Sequence, residues 1–444
     1  MTAPGPKGLR LLRWLLYMKR DTPRALVDLR AAFGDVVRLK VAPGMQTFLV
    51  AHPAGVQHVL QDNQRNYVKS RSYRAIAELT GRGLLTSDGD HWLRHRRLAQ
   101  QSFYRERLAA FVPVMADCSQ RAIKRWESGD ELDISAEMMR LTLTVAGETL
   151  FSTDLSGEGA AVGGAFTRVS DYVSRRLDSI PGWMTSFRYP LPTLGRMRFK
   201  RGLRELDRVV YDTISRRRGR EEEFDDLLST LATAREADEP ALDDHELRDE
   251  VMTFLLAGHE TTANALGWTW YLLALNPDAR DRLTEEIDDV LGGRTPSHDD
   301  LDRLVYTGAV VREVLRLYPP AWAVERETVE PDEIGGHVVP KGAAVMVSPF
   351  VTHRHPDFWA DPETFEPDRF LQEGDARHRF AFLPFGGGRR QCIGGHFALM
   401  EATVVVATVA QRFHCELVEG ARVETDPEIT LRARFGIPMR VVSR

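Results

Sequence analysis

Cysteine is scarce in this chain of 444 residues: Cys118, Cys392 and Cys415 are the three it has. So odd and sparse a set excludes a disulfide framework and suits a reducing, cytoplasmic setting. No Cys-x-x-Cys and no His-Glu-x-x-His occurs among the three cysteines and thirteen histidines, so the sequence carries no zinc signature. Charge of one sign is also lacking. A net charge of -5 gives no support to bulk nucleic-acid binding. No apolar run approaches the ~20 residues that would span a bilayer. There is no internal repeat and no low-complexity linker. What remains, 43% hydrophobic and 28% charged residues, is the balance of a soluble globular protein.

The N-terminal stretch Leu9 to Arg20 is basic and amphipathic. It reads as a first helix packed on the body, with weak contact to a membrane surface as the sharper alternative. Val36 to Val50 alternates apolar and polar residues around Pro43-Gly44, a hairpin signal. Helical periodicity dominates from about Arg94 to Asn276. Ala323 to Val347 and Leu417 to Val442 are strand-rich, and Arg216 to Glu223 reads as a solvated helix end. The expected fold is mainly α with small β-sheets, and residues 1–444 are expected to form one structural unit.

One predicted helix stands out. Asp243-x-x-Glu246 is a capping-box signature, and Asn276-Pro277 marks the far end. A helix of about 33 residues is ~50 Å long at 1.5 Å per residue, and this apolar it must cross the core. Its middle is Ala257-Gly258-His259-Glu260-Thr261-Thr262. A glycine costs the helix about 1 kcal/mol, and a buried carboxylate needs partners or a shifted pKa. A core element that breaks local rules is where function is expected.

The second candidate is Phe385-Gly386-Gly387-Gly388-Arg389-Arg390-Gln391-Cys392-Ile393-Gly394-Gly395. A helical pattern follows, so Cys392 sits on a tight loop ahead of a helix N-terminus, where dipole and N–H groups favour a thiolate. Glycines permit unusual backbone angles and the close approach of a flat ligand.

Phe385, Gly388, Arg390, Cys392 and Gly394 resemble the haem-binding loop of cytochromes P450 at each fixed position. Four further motifs agree in order. Ala257 to Thr262 resembles the oxygen-binding groove of that family's central helix. Glu313-Val314-Leu315-Arg316 resembles its Glu-x-x-Arg helix. Phe365 to Phe370 resembles the segment supplying a second arginine, here Arg369. Trp92-Leu93-Arg94-His95-Arg96 resembles its Trp-x-x-x-Arg helix.

The resemblance implies a cytochrome P450 fold with the long helix across a haem b (iron protoporphyrin IX). It implies Cys392 as the iron ligand; a thiolate donates electron density and favours O–O cleavage. Trp92, Arg96, Arg390 and Arg326 are implied at the haem propionates, with Lys69 a weaker candidate. Phe385 is implied to shield the ligand, Gly388 and Gly394 to shape the loop, and Ala257 and Gly258 to leave room for O2. Thr261 and Glu260 are the implied acid–alcohol pair for proton delivery, while Thr262 reads as a back-bonded helix threonine. Glu313, Arg316 and Arg369 are implied as a structural ion network.

The implied activity is monooxygenation of an apolar small molecule, a fatty acid, terpene or steroid. No cysteine cluster or flavin module is visible, so electrons are expected from NAD(P)H through a separate ferredoxin or flavodoxin with its reductase. Arg389, Arg94 and Arg97 are candidates for a docking patch, and Tyr73 to Leu85 and Phe166 to Leu194, including Phe187 and Tyr189, for pocket walls. A monomer is expected. A peroxide-driven peroxygenase and a non-catalytic haem sensor are the competing readings.

Overall fold

The computed structural model describes the chain apart from residues 43–44, 154–162, 167, 171, 174–192, 221–222, 235–239 and 373–376. Helices carry most of it, and the strands among the described residues form four small sheets.

The central helix runs Asp244–Leu275. Its capping box is made in both directions: the Glu246 N–H donates to Asp243 and the Asp243 N–H donates to Glu246. Pro277 ends it by opening the next helix at once, the position where a missing N–H costs nothing. Trp268 secures its far half. The indole stacks on Tyr318 at 4.2 Å and donates to the Leu431 carbonyl at 3.0 Å. Ile134–Leu150, Val305–Leu317 and Gly395–Ala410 are further helices of the apolar core around it.

The strands are β1 (Val36–Ala42), β2 (Met45–Val50), β3 (Tyr67–Lys69), β4 (Glu131–Asp133), β5 (Val324–Thr328), β6 (Asp332–Ile334), β7 (His337–Val339), β8 (Ala344–Val347), β9 (Phe413–Leu417), β10 (Thr425–Pro427), β11 (Leu431–Ala433) and β12 (Pro438–Ser443). The largest sheet has the order β1-β2-β8-β5-β3. In it β2 and β8 are parallel, with Thr47 opposite Ala344, while the other pairs are antiparallel. The hairpin expected over Val36 to Val50 is β1–β2; its turn at Pro43-Gly44 lies outside the described residues.

The first helix, Gly8–Arg20, divides its apolar residues. Leu11, Trp14 and Met18 pack on the body beside Leu26 and Leu29. Leu9, Leu12 and Leu16 stay exposed. Among the described residues no helix is long and apolar enough to cross a membrane.

Candidate active site

The cysteine loop owes its shape to glycine. Gly388 has φ +66°, and a Cβ there would stand 1.8 Å from the Leu60 carbonyl oxygen. No other residue fits so close an approach at that angle. The Cys392 N–H donates to the Phe385 carbonyl at 2.9 Å and closes the loop, and the helix Gly395–Ala410 starts three residues after the sulfur. Gly394 is the N-cap of that helix, and the half-buried Phe385 ring lies against Gly395. Cys392 is exposed on the loop as a residue, while protein encloses its thiol. That enclosure pushes the thiol pKa up, while the Gly394 N–H and the Arg96 guanidinium pull it down. Cys118 and Cys415 are buried; burial pushes the Cys415 thiol up to about 12.

From Leu247 to Trp270 each residue of the central helix is buried except three. Ala257 is exposed, and Gly258 and Thr261 are half-buried. Their spacing puts them on one side of one turn, so a sealed helix opens at a single place. The Thr261 hydroxyl donates to the Ala257 carbonyl at 2.6 Å, and Thr262 back-bonds to Gly258 at 3.1 Å. Glu260 is buried and accepts a 2.5 Å hydrogen bond from Thr430, whose oxygen accepts from Asn264 at 2.9 Å. No hydrogen bond joins Glu260 to Thr261 here. The partner Thr430 comes from the turn between β10 and β11, far along the chain, and no local pattern announces it.

Three cations gather at the sheet edge. Lys69 and Arg326 stand directly opposite each other on β3 and β5. Like charges in that register destabilise a sheet, so the pair asks for an anion. Burial, then Arg326 and Arg390, hold the Lys69 pKa well below its ordinary value. Arg390 is lowered by burial and pairs with Asp88. Its guanidinium lies 4.4 Å above the Trp92 ring. Trp92 is buried on the helix Gly89–Gln100. Arg96, one turn further on, forms no ion pair among the described residues and acts on the Cys392 thiol.

Glu313 and Arg316 are fully buried and bonded bidentately, at 2.7 and 2.8 Å. Arg316 also donates to the carbonyls of His353, Pro362 and Thr364. Arg369 stands 3.5 Å from Glu313 and pairs with Glu366 at 2.9 Å. Arg94 leaves the suggested docking patch: it pairs with Glu246 at 3.1 Å, while Arg389 and Arg97 are exposed. Phe187 and Tyr189 lie outside the described residues. The Tyr73 to Leu85 wall is pinned to the central helix, where the Arg82 N–H donates to Asp249 at 2.7 Å and that of Leu84 to Glu250 at 3.3 Å. Neither carboxylate was singled out by sequence.

The donor chemistry fits iron protoporphyrin. One exposed cysteine sits at a helix N-terminus, a cation set suits two carboxylates, and a greasy helix opens at its small residues. Comparison with known proteins agrees. The family model described as Cytochrome P450 matches residues 3–436. Cyclooctat-9-en-7-ol 5-monooxygenase of Streptomyces melanosporofaciens is 38% identical, over 94% of this chain and 90% of its own. Cyclooctatin synthase of the same organism is 36% identical, over 98% and 94%. Pentalenene oxygenase of Streptomyces avermitilis is 34% identical, over 97% and 93%. Motif order, site chemistry and similarity along nearly the whole chain converge: this chain belongs to the cytochrome P450 family of haem-binding monooxygenases.

Proposed function

We propose that this monooxygenase inserts one oxygen atom of O2 into a terpene-class hydrocarbon, by hydroxylation or epoxidation. The single opening of the central helix at Ala257, Gly258 and Thr261 carries the reading. It offers a small, apolar surface with one hydroxyl, where O2 and a greasy substrate would meet. The relatives named for cyclooctatin and pentalenene favour a terpene over a fatty acid or steroid. Of the two exposed arginines whose charge could serve a fatty-acid carboxylate, Arg71 and Arg74, Arg71 is paired with Glu327.

When bound, haem supplies the iron on which O2 is activated. Cys392 would be its ligand, with Gly394 and Arg96 favouring the thiolate. Arg326, Arg390, Lys69 and Arg96 would hold the carboxylates, with Trp92 as the floor under Arg390. Thr261 would hold a proton at the opening, and Glu260 would resupply it after turning away from Thr430. Electrons would come from NAD(P)H through a separate ferredoxin or flavodoxin and its reductase.

The test is the visible spectrum of the haem-loaded protein, reduced and exposed to carbon monoxide. Wild type should give the strongly red-shifted Soret band of thiolate ligation, and Cys392→Ala should lose it. A mutant that kept the band would remove Cys392 from the iron. Turnover of a cyclic terpene with a reductant, and not with peroxide alone, would separate monooxygenase from peroxygenase.

A further inference from the structure

A cluster on the helix that carries Trp92 and Arg96 has the makings of a metal site. His91 and His95 lie one turn apart on the helix Gly89–Gln100, with ring centroids 4.1 Å apart. Glu246, in the first turn of the central helix, faces them. One ligand atom from each of the three lies within 4.8 Å of the others.

The hydrogen bonds fix which ring nitrogens are free. Nδ1 of His95 is 2.7 Å from the Glu250 carboxylate, an acceptor, so Nδ1 carries the proton, and in the neutral ring Nε2 keeps the lone pair. That Nε2 is buried without a hydrogen-bond partner among the described residues, on a side chain 1% exposed, and points at Glu246 Oε1 3.5 Å away. A buried imidazole nitrogen left unsatisfied calls for an explanation. Nε2 of His91 lies 2.9 Å from the Arg82 carbonyl oxygen, so it donates and leaves Nδ1 its lone pair. Each imidazole is thus oriented by an acceptor behind it, the second layer that metal-binding histidines use.

We propose that His91, His95 and Glu246 bind a divalent transition metal, with Zn2+ the best match to two imidazoles, one carboxylate and a water. Bonds of ~2.0 Å require the donor atoms to close to about 3.3 Å apart. Glu246 and the half-buried His91 have the freedom to make that adjustment. Glu246 keeps its other duties. Oε2 continues to accept from the Asp243 N–H, and Arg94, which shares Oε1, has a second anchor at the Pro240 carbonyl. The charges around the rings are the carboxylates of Glu246 and Glu250 and the guanidiniums of Arg94 and Arg82. A bound ion would clamp the helix bearing Trp92 and Arg96 to the central helix. This site is independent of the proposed substrate.

The experiment is calorimetric titration of chelator-treated, haem-loaded protein with Zn2+ alone. One saturable Zn2+ per chain is expected, with a rise in thermal midpoint. Affinity should fall roughly tenfold or more in His91→Ala and in Glu246→Gln. His245→Ala, an exposed neighbour outside the cluster, should match wild type. The carbon monoxide spectrum checks that each variant is folded. Wild type showing no saturable binding would overturn the proposal, as would both variants binding like wild type. If His91→Ala failed to fold, the Glu246→Gln titration and the wild-type stoichiometry would still decide.

Discussion

His353 and Glu401 are both sealed from solvent, and burial favours the uncharged form of each. His353 bridges two parts of the site: Nδ1 donates to the Arg316 carbonyl, and Nε2 accepts from the Leu383 N–H at 2.9 Å, just ahead of the cysteine loop. Its pKa is pushed down to about 3, mainly by burial. The unfolded chain protonates it below ~6.5 and the folded one does not, so stability falls as pH drops through that value, by roughly 1.4 kcal/mol per unit. Glu401 acts in the other direction. Neither of its oxygens has a well-formed hydrogen bond among the described residues, and burial pushes its pKa well up, opposed by Thr262. Above ~4.3 the unfolded chain loses this proton while the folded chain keeps it, so stability is lost as pH rises. Glu401→Gln should therefore raise the thermal midpoint at pH 8 more than at pH 5. A gain independent of pH would contradict this. His353→Gln should flatten the acid limb of the wild-type curve. Arg316→Leu would strand a buried Glu313, costing about 3–5 kcal/mol in denaturant titration and lowering haem content.

Among the elements, the central helix was the most legible. Its capping box and its proline stop are local signals, and both are realised, with 32 residues where about 33 were expected. The Val36 to Val50 hairpin was legible for the same reason. The three-residue strand Tyr67–Lys69 was not, because its register comes from β5 and not from its own pattern. Nor could sequence tell that Glu260 leans on Thr430, or that Arg94 turns to Glu246. Those partners are far away in the chain and are chosen by packing. The opening of the helix predicts its own mutants. Thr261→Ala should consume reductant while product falls roughly tenfold or more. Thr430→Val, which removes the donor to Glu260, should shift the same ratio less. Equal coupling in wild type and Thr261→Ala would remove the hydroxyl from proton delivery. Gly388→Ala forces a Cβ against Leu60, so the loop must move and haem content should drop.

At the scale of the whole molecule, the cysteine loop rests on Leu60, and the sheet beside it joins β2 to β8 across roughly 300 positions. Composition and five ordered motifs disclosed the family. They could not disclose that a strand near the N-terminus pairs with one about 300 positions later. This parallel pairing has a consequence for synthesis. At ~5–20 residues per second, β2 leaves the ribosome roughly 15–60 s before β8 exists to cover its inner edge. Until then Phe48, Leu49 and Val50, all buried in the finished protein, have β1 as their strand partner and an open edge where β8 will pair. The newborn chain depends on being held apart from its neighbours for that interval, and slowing translation between the two strands should lengthen its exposure to aggregation.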